Sequence, residues 1–171
     1  MWIHVVLVAS LVACSRSAEP ETHLVECDEA IARFDELGVA GFQAFNLGPV
    51  TMAGALDPRE ADINLSDGLN PIKFPTTIFG PEAVTLRVID GVGGTARLIY
   101  GQTDFQRLDT AKTLDDVGHE KVTFEPCLGV RYTQFAGGFV VDAPVCIKLE
   151  VEQQGREPIR KELELAGGSC I

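Results

Sequence analysis

Short apolar runs alternate with turn residues along most of the chain, which is the pattern of β-strands rather than of helices. The clearest alternation runs over residues 83–90. Glycine-rich residues 91–94 then predict a turn and residues 95–100 a returning strand, so we expect a β-hairpin over 83–100. The other predicted strands are 41–45, 50–53, 121–125, 138–142, 146–152 and 158–165, the last as an edge strand whose apolar face Lys161 interrupts.

A set of seven or eight short strands, with no helix between them, predicts an all-β fold, an antiparallel β-sandwich that is immunoglobulin-like in outline. Ahead of the strands, Cys27 to Leu37 predicts one short N-terminal helix, because Ile31 and Phe34 share a helical face and Gly38 is placed to end it. A loop is the alternative for that stretch. Two polar segments, 57–73 and 102–120, are expected to be long loops.

The N-terminus carries an apolar run over residues 2–13, which is the length of a signal-peptide core and too short for a ~20-residue membrane span. No Lys or Arg precedes it, so only the α-amino group and His4 supply positive charge. The last three residues of the run and the cysteine that follows read Leu-Val-Ala-Cys at 11–14, which resembles the lipobox of bacterial lipoproteins. The resemblance implies cleavage before Cys14 and thioether-linked lipid on it, with palmitate among the acyl chains. An ordinary secretory signal that contains a cysteine is the alternative.

These observations predict three segments: a signal peptide at 1–13, lipidated Cys14 with a flexible tether at 14–26, and a β-sandwich domain at 27–171. Two acyl chains give stable membrane anchoring, where one chain is marginal. The expected location is therefore the cell membrane, with the domain on its extracytoplasmic side.

The number of cysteines is consistent with export. If Cys14 of the five cysteines carries lipid, four remain, and an even number in an exported chain predicts two disulfides. Three connectivities exist, and the spacings are too wide for a zinc site of the CxxC type. We favour Cys127–Cys146 with Cys27–Cys170. The alternative pairs Cys146 with Cys170, because these two flank a predicted hairpin.

The charge balance excludes one class of partner. With 25 acidic and 14 basic residues the formal net charge is -11, whereas binding to nucleic acid needs a basic face. Hydrophobic residues make up 46% of the chain, which is enough for a sizeable core rather than a disordered segment.

No set of residues predicts catalysis, and no catalytic residue is assigned. Of three histidines, His4 leaves with the signal peptide and His23 lies in or beside the tether, so only His119 belongs to the domain. A nucleophile–base pair is therefore not indicated. Asp116 and Glu120 lie near His119 in the sequence and offer metal ligands, but we expect His119 to be a solvated loop residue.

A calcium loop is the one cofactor site that the pattern suggests. From Asp62 to Gly68, oxygen-bearing side chains alternate as in an EF-hand, but the glycine comes one residue late and Lys73 replaces the final glutamate. We expect an acidic surface loop and no cofactor. An irregular Ca²⁺ site is the alternative, with ligands from Asp57, Glu60, Asp62, Asn64 and Asp67.

Aromatic residues are few, and two pairs are candidates for a stacking surface. They are Phe42 with Phe45 and Tyr132 with Phe135. Core packing is the expected role of these rings.

Several fragments of the mature chain resemble exported proteins of actinobacteria that have no assigned activity. The fragments span residues 46–50, 73–75, 122–127, 137–141, 146–151 and 166–170. They consist of turn glycines, strand residues and cysteines. The resemblance implies a related fold and an exported address, and it transfers no site residue.

The function expected from these features is a membrane-anchored, non-enzymatic binding or envelope-interaction module. Its partners would be the membrane, through the lipid, and an envelope protein or glycan. One alternative is an envelope-polymer hydrolase that uses loop carboxylates or a bound cation, which a convergent acidic cleft would favour. The other is a passive structural lipoprotein, which would lack any concave polar site.

Overall fold

The computed structural model describes residues 21–36, 43–56 and 68–170, in which two β-sheets pack face to face. One α-helix, α1 (Gln102–Arg107), and two 3-10 turns (Cys27–Glu29 and Leu114–Asp116) accompany them. No helix in this part of the chain is both long enough and apolar enough to cross a bilayer. The strands are β1 (His23–Val25), β2 (Ala30–Phe34), β3 (Ala44–Leu47), β4 (Val50–Ala53), β5 (Asn70–Phe79), β6 (Val84–Val92), β7 (Ala96–Tyr100), β8 (Lys121–Phe124), β9 (Tyr132–Val141), β10 (Val145–Gln153) and β11 (Ile159–Leu165).

The strand order defines the two sheets. Sheet A runs β1-β8-β6-β10-β11, and sheet B runs β2-β9-β5-β4-β3, with β7 paired to β9. Among the strands of the described residues, β1 pairs with β8 in parallel and every other pair is antiparallel. The predicted all-β antiparallel sandwich is confirmed, and β11 is an edge strand as expected.

The core lies between the two sheets because apolar residues occupy alternate positions of most strands. Each large side chain removed from water contributes about 1.5–3 kcal/mol, so this set supplies the main driving force for the fold. Fully buried members from both sheets include Phe45, Ile78, Leu86, Leu98, Phe124, Phe135, Phe139, Ile147 and Leu149.

The predicted hairpin over 83–100 is wrong, although both of its strands exist. Strand β6 lies in sheet A and β7 in sheet B, so the glycine-rich connection carries the chain from one sheet to the other. Gly93 has φ +95° and lies against the backbone of Pro144, where a Cβ would be 2.9 Å from the carbonyl oxygen. Two strands joined by a turn show the same alternation of apolar and polar residues whether they pair as a hairpin or lie in different sheets. Only the long-range strand pairing distinguishes the two arrangements.

Strand β5 begins within the segment 57–73, which the sequence predicts to be a loop. Its two prolines, Pro71 and Pro75, obscure the strand pattern, because proline is uncommon inside sheets. Strand β5 pairs with β9 along its whole length but with β4 only at residues 76–78. Both prolines therefore lie where β5 is paired with β9 but not with β4, and their missing N–H groups are tolerated.

The predicted N-terminal helix is also wrong. A 3-10 turn at Cys27–Glu29 leads directly into β2, which pairs with β9 of sheet B. Residues His23–Val25, which fall within the segment 14–26 predicted to be a tether, form β1 beside β8. Tertiary pairing of these two short stretches overrides their weak local preference.

The segment 102–120 is folded rather than an extended polar loop. It contains α1 and the second 3-10 turn, and it packs on β7 and β9. A second, smaller core forms beneath it from Ile99, Leu114, Val117 and Val140, with Leu69, Phe105, Leu108 and Ala111 against it.

Hydrogen bonds within the second 3-10 turn lower the pKa of one carboxyl group, that of Asp116. Asp116 accepts bonds from the backbone of Lys112 and from the side chain and backbone of Thr113, and these hold its pKa below the ordinary value.

The disulfides join Cys27 to Cys127 and Cys146 to Cys170, with Cα atoms 4.8 and 5.1 Å apart. The favoured connectivity is therefore wrong, and the alternative that closes the β10–β11 hairpin is correct. Cys127 lies next to Cys27 because β8 and β1 are parallel neighbours, which no local pattern reveals. Arg33 donates to the Cys127 sulfur and to the Cys27 carbonyl, so it packs against the first bridge.

Candidate functional site

The outer face of sheet B is the surface of β2, β9 and β5 that points away from the core. Along β9, half-buried Tyr132, Gln134 and Ala136 alternate with buried Thr133 and Phe135. Because neighbouring side chains of a strand point to opposite faces, the half-buried set belongs to the outer face.

An aromatic row crosses one end of the outer face. Phe34, Tyr132 and Phe79 are direct register partners on three adjacent strands, and their rings lie 5.5 and 5.4 Å apart between centroids. The guanidinium of Arg131 is 5.4 Å from the Phe79 ring and 5.6 Å from that of Tyr132. Tyr132 thus takes part in a stacking surface, but with partners that the sequence does not suggest.

Of the aromatic pairs named from the sequence, Tyr132 with Phe135 does not form a stacking surface, because the two side chains lie on opposite faces of β9. Phe45 and Phe135 are fully buried in the core, as expected of core residues, and Phe42 lies outside the described residues. The pattern that identifies the aromatic row is cross-strand register, which becomes visible only once β2, β9 and β5 are aligned.

Two adjoining depressions lie at the other end of the outer face, with volumes of about 420 and 650 Å³. They share Ile31, Phe105 and Ala136, so we treat them as one groove between the sheet and α1. The Lys73 ammonium stands 4.7 Å from the centre of the Phe105 ring. Other lining residues are Lys73, Phe74, Pro75, Gln134 and Gly137 in the smaller depression, and Asp28, Glu29, Gly101, Gln102, Gln106 and Asp109 in the larger.

A histidine cluster lies where β1, α1 and the start of β8 meet. The rings of His23 and His119 are stacked, with centroids 4.1 Å apart and an angle of 4° between the planes. The His119 Nε2 atom is 3.2 Å from each carboxylate oxygen of Asp104. One ligand atom from each of these three residues lies within 4.8 Å of the others.

Tyr100 positions two members of the histidine cluster through its backbone. Its N–H donates to Asp104 Oδ2 at 2.9 Å, and its carbonyl lies 3.3 Å from His23 Nε2. The backbone of His119 pairs with Leu98 in both directions at 2.8 Å. Strand β7, which supplies Leu98 and Tyr100, therefore holds all three side chains in place.

Asp104 is the most buried member of the histidine cluster, at 1% exposure, and the His119 side chain is 23% exposed. Among the described residues, His119 is the only basic side chain within ion-pair distance of the Asp104 carboxylate. An ionised carboxylate in such a place needs a positive partner, because burying an isolated charge is costly.

The prediction that His119 is a solvated loop residue is wrong, because its ring stacks on His23 within the histidine cluster. The neighbours that offer metal ligands in the sequence do not join it. Asp116 caps the 3-10 turn, and Glu120 bonds to Arg97 at 3.1 Å. The calcium candidates Asp57, Glu60, Asp62, Asn64 and Asp67 lie outside the described residues.

Two members of the histidine cluster, His23 and Asp104, are not predicted from the sequence. The sequence places His23 in or beside the tether, and nothing in it distinguishes Asp104 from the other acidic residues, of which the chain has 25 in all. A residue of β1, one of α1 and one before β8 come together only through sheet pairing, and no spacing rule links them.

Comparison of the chain with protein-family models, with curated proteins and with solved structures finds no match. The functional conclusion therefore rests on the chemistry of the surfaces described above.

Proposed function

We propose that the chain is an exported lipoprotein, anchored through Cys14, whose β-sandwich binds a glycan of the cell envelope on the outer face without catalysing a reaction. The observation that supports export is the bonding of the cysteines. Four of the five form two disulfides, and such bonds persist in oxidising compartments outside the cytoplasm. The fifth, Cys14, ends the apolar leader.

The aromatic row and the groove support a glycan as the ligand. Aromatic rings accept the apolar faces of sugar rings, and polar side chains beside them bond to hydroxyl groups. The outer face offers both, with Tyr132 and Phe34 at one end and Gln134 and Lys73 nearer the groove. The net charge of -11 disfavours a strongly anionic polymer as the ligand.

The acidic residues of the groove are the main structural argument for the alternative, a hydrolase. Their exposure to solvent argues against that function. Asp28, Glu29 and Asp109 line the larger depression, but all three are exposed. The general acid of a glycosidase is a carboxyl group that an apolar enclosure keeps protonated. A passive spacer is disfavoured in turn, because the groove is concave and partly polar.

Binding is tested by co-sedimentation of the purified chain with insoluble peptidoglycan. We expect saturable binding that weakens by about tenfold in Phe34→Ala and Tyr132→Ala, equivalent to about 1.4 kcal/mol each. Leu128→Ala is the matched control, because Leu128 is 84% exposed but is not part of the outer face. Absence of saturable binding, or equal loss in the control, would overturn the glycan proposal.

Two further measurements test the remaining parts. After cell fractionation, the chain should sediment with membranes and Cys14→Ser should not; a membrane-bound Cys14→Ser variant would argue against the lipid anchor. Incubation with peptidoglycan should release no soluble fragments. Release that Asp109→Asn abolishes would replace the binding module with the hydrolase.

A further inference from the structure

We propose that His23, Asp104 and His119 form a binding site for one divalent transition-metal ion, with zinc as the best match. This site is separate from the outer face, and it depends neither on lipidation nor on a glycan ligand. The histidine cluster already brings one nitrogen or oxygen ligand from each residue to within 4.8 Å of the others.

The distances in the histidine cluster suit a small ion. Zinc binds histidine nitrogen and carboxylate oxygen at about 2.0–2.2 Å, so two ligands at a tetrahedral angle are about 3.3 Å apart. The Nε2 atom of His119 is 3.2 Å from both oxygens of Asp104. These two residues therefore have the separation of two zinc ligands. The His23 ring is stacked nearly parallel to that of His119, so it must rotate out of the stack to direct a ring nitrogen at the same ion.

The hydrogen bonds behind the ligands favour coordination. A metal-binding histidine usually donates its other ring N–H to a carbonyl or a carboxylate, which fixes the tautomer. When His23 Nε2 donates to the Tyr100 carbonyl, its Nδ1 atom carries the free lone pair. The N–H of Tyr100 orients the Asp104 carboxylate in the same way. The backbone of Tyr100 thus contacts two of the three ligand side chains.

The charge of the site also calls for a cation. Asp104 is almost fully buried, and in the described part of the chain no Lys or Arg forms an ion pair with it. A divalent ion held by Asp104 and two neutral histidines would compensate that charge more fully than a single hydrogen bond.

The ligand types select the metal. Imidazole nitrogen suits zinc, copper and nickel, whereas calcium and magnesium prefer oxygen ligands alone. Both histidines are half-buried rather than enclosed, so an ion reaches them from solvent and water can fill a fourth position. The metal would then bridge β1 to α1.

The test is calorimetric titration of tag-free, chelator-treated chain with zinc chloride, alone and after mutation. We expect one ion per chain, with affinity at least about tenfold weaker in His23→Ala, His119→Ala and Asp104→Asn. Glu120→Gln is the matched control, because Glu120 adjoins His119 in sequence but bonds to Arg97. Calcium and magnesium should give no saturable heat.

Circular dichroism of each variant separates loss of ligands from loss of fold. His23→Ala and His119→Ala alter half-buried side chains and should keep the wild-type spectrum, so that weakened binding in these two folded variants is decisive even if Asp104→Asn unfolds. No stoichiometric zinc binding by the wild-type chain, or binding that the histidine variants leave unchanged, would overturn the proposal.

Discussion

The ring of Tyr100 lies directly over the backbone of Gly137, so that a Cβ placed on Gly137 would overlap the ring atoms. The Tyr100 hydroxyl bonds to Thr76 at 2.7 Å, and its ring meets Phe124 edge-on. The same residue orients His23 and Asp104 through its backbone. Packing at Gly137 therefore connects the core of the sandwich to the histidine cluster.

Replacement of this glycine should destabilise the chain. In Gly137→Ala the new methyl group overlaps the fully buried Tyr100 ring, which has no free space to move into. Overpacking of this kind costs about 1–3 kcal/mol. Ala136→Ser, one residue earlier on the outer face, should stay within about 0.5 kcal/mol of wild type. Urea unfolding measures both, and equal stabilities for the two variants would contradict the described packing.

Alkaline pH should destabilise the fold through Tyr100. Burial raises the pKa of its hydroxyl above the ordinary value of 10.0, and the bond to Thr76 only partly offsets this rise. Because the folded-state pKa is raised, the contribution to stability is complete below pH 10 and is lost as the pH rises beyond that value. The limiting slope for one proton is about 1.4 kcal/mol per pH unit.

Unfolding in urea at a series of pH values around 10 tests this expectation. Tyr100→Phe should lose about 1 kcal/mol at neutral pH, where the Thr76 hydroxyl loses its partner, but it should lack the alkaline slope. Tyr132→Phe removes the other tyrosine of the chain and should retain the slope. An unchanged slope in Tyr100→Phe would show that another group is responsible.

The two disulfides should contribute unequally. Cys27–Cys127 spans 100 residues and Cys146–Cys170 spans 24, and loop-closure entropy predicts about 4.7 and about 3.5 kcal/mol respectively. We expect the double variant C27A/C127A to unfold at lower denaturant concentration than C146A/C170A. The opposite order would indicate that local packing around the bridges outweighs the entropy of the unfolded chain.

The sequence predicts strands correctly where apolar residues alternate, as in β6, β8 and β10. The failures concern relations between elements. Strand β5 is obscured by Pro71 and Pro75, whose effect depends on which neighbours flank each residue. The connection from β6 to β7 resembles a hairpin because the destination sheet leaves no local trace.

The candidate site is less predictable than the fold. The histidine cluster needs β1 beside β8 and α1 packed on β7, and both are contacts between elements that carry no signal of their own. The aromatic row likewise depends on register. The cysteines narrow the disulfides to three connectivities, and only the parallel pairing of β1 with β8 decides among them.

Acid should loosen the turn that Asp116 holds. The pKa of this carboxyl is lowered from 3.8 by hydrogen bonds from Lys112 and Thr113. A depressed folded-state pKa means that the stabilisation is present above 3.8 and is lost as the pH falls through the lower folded value. Asp116→Asn should therefore speed hydrogen exchange of the Lys112 and Thr113 amides at neutral pH, whereas Asp115→Asn should not. Equal exchange in both variants would argue against the described capping.

Attachment of lipid to Cys14 is tested most directly by the mass of the intact chain purified from membranes of an expressing bacterium. We predict a chain that begins at Cys14 and carries a thioether-linked diacylglycerol, with the other four cysteines resistant to alkylation until they are reduced. A chain that retains Met1 and lacks lipid, or four cysteines that react without reduction, would contradict export and anchoring.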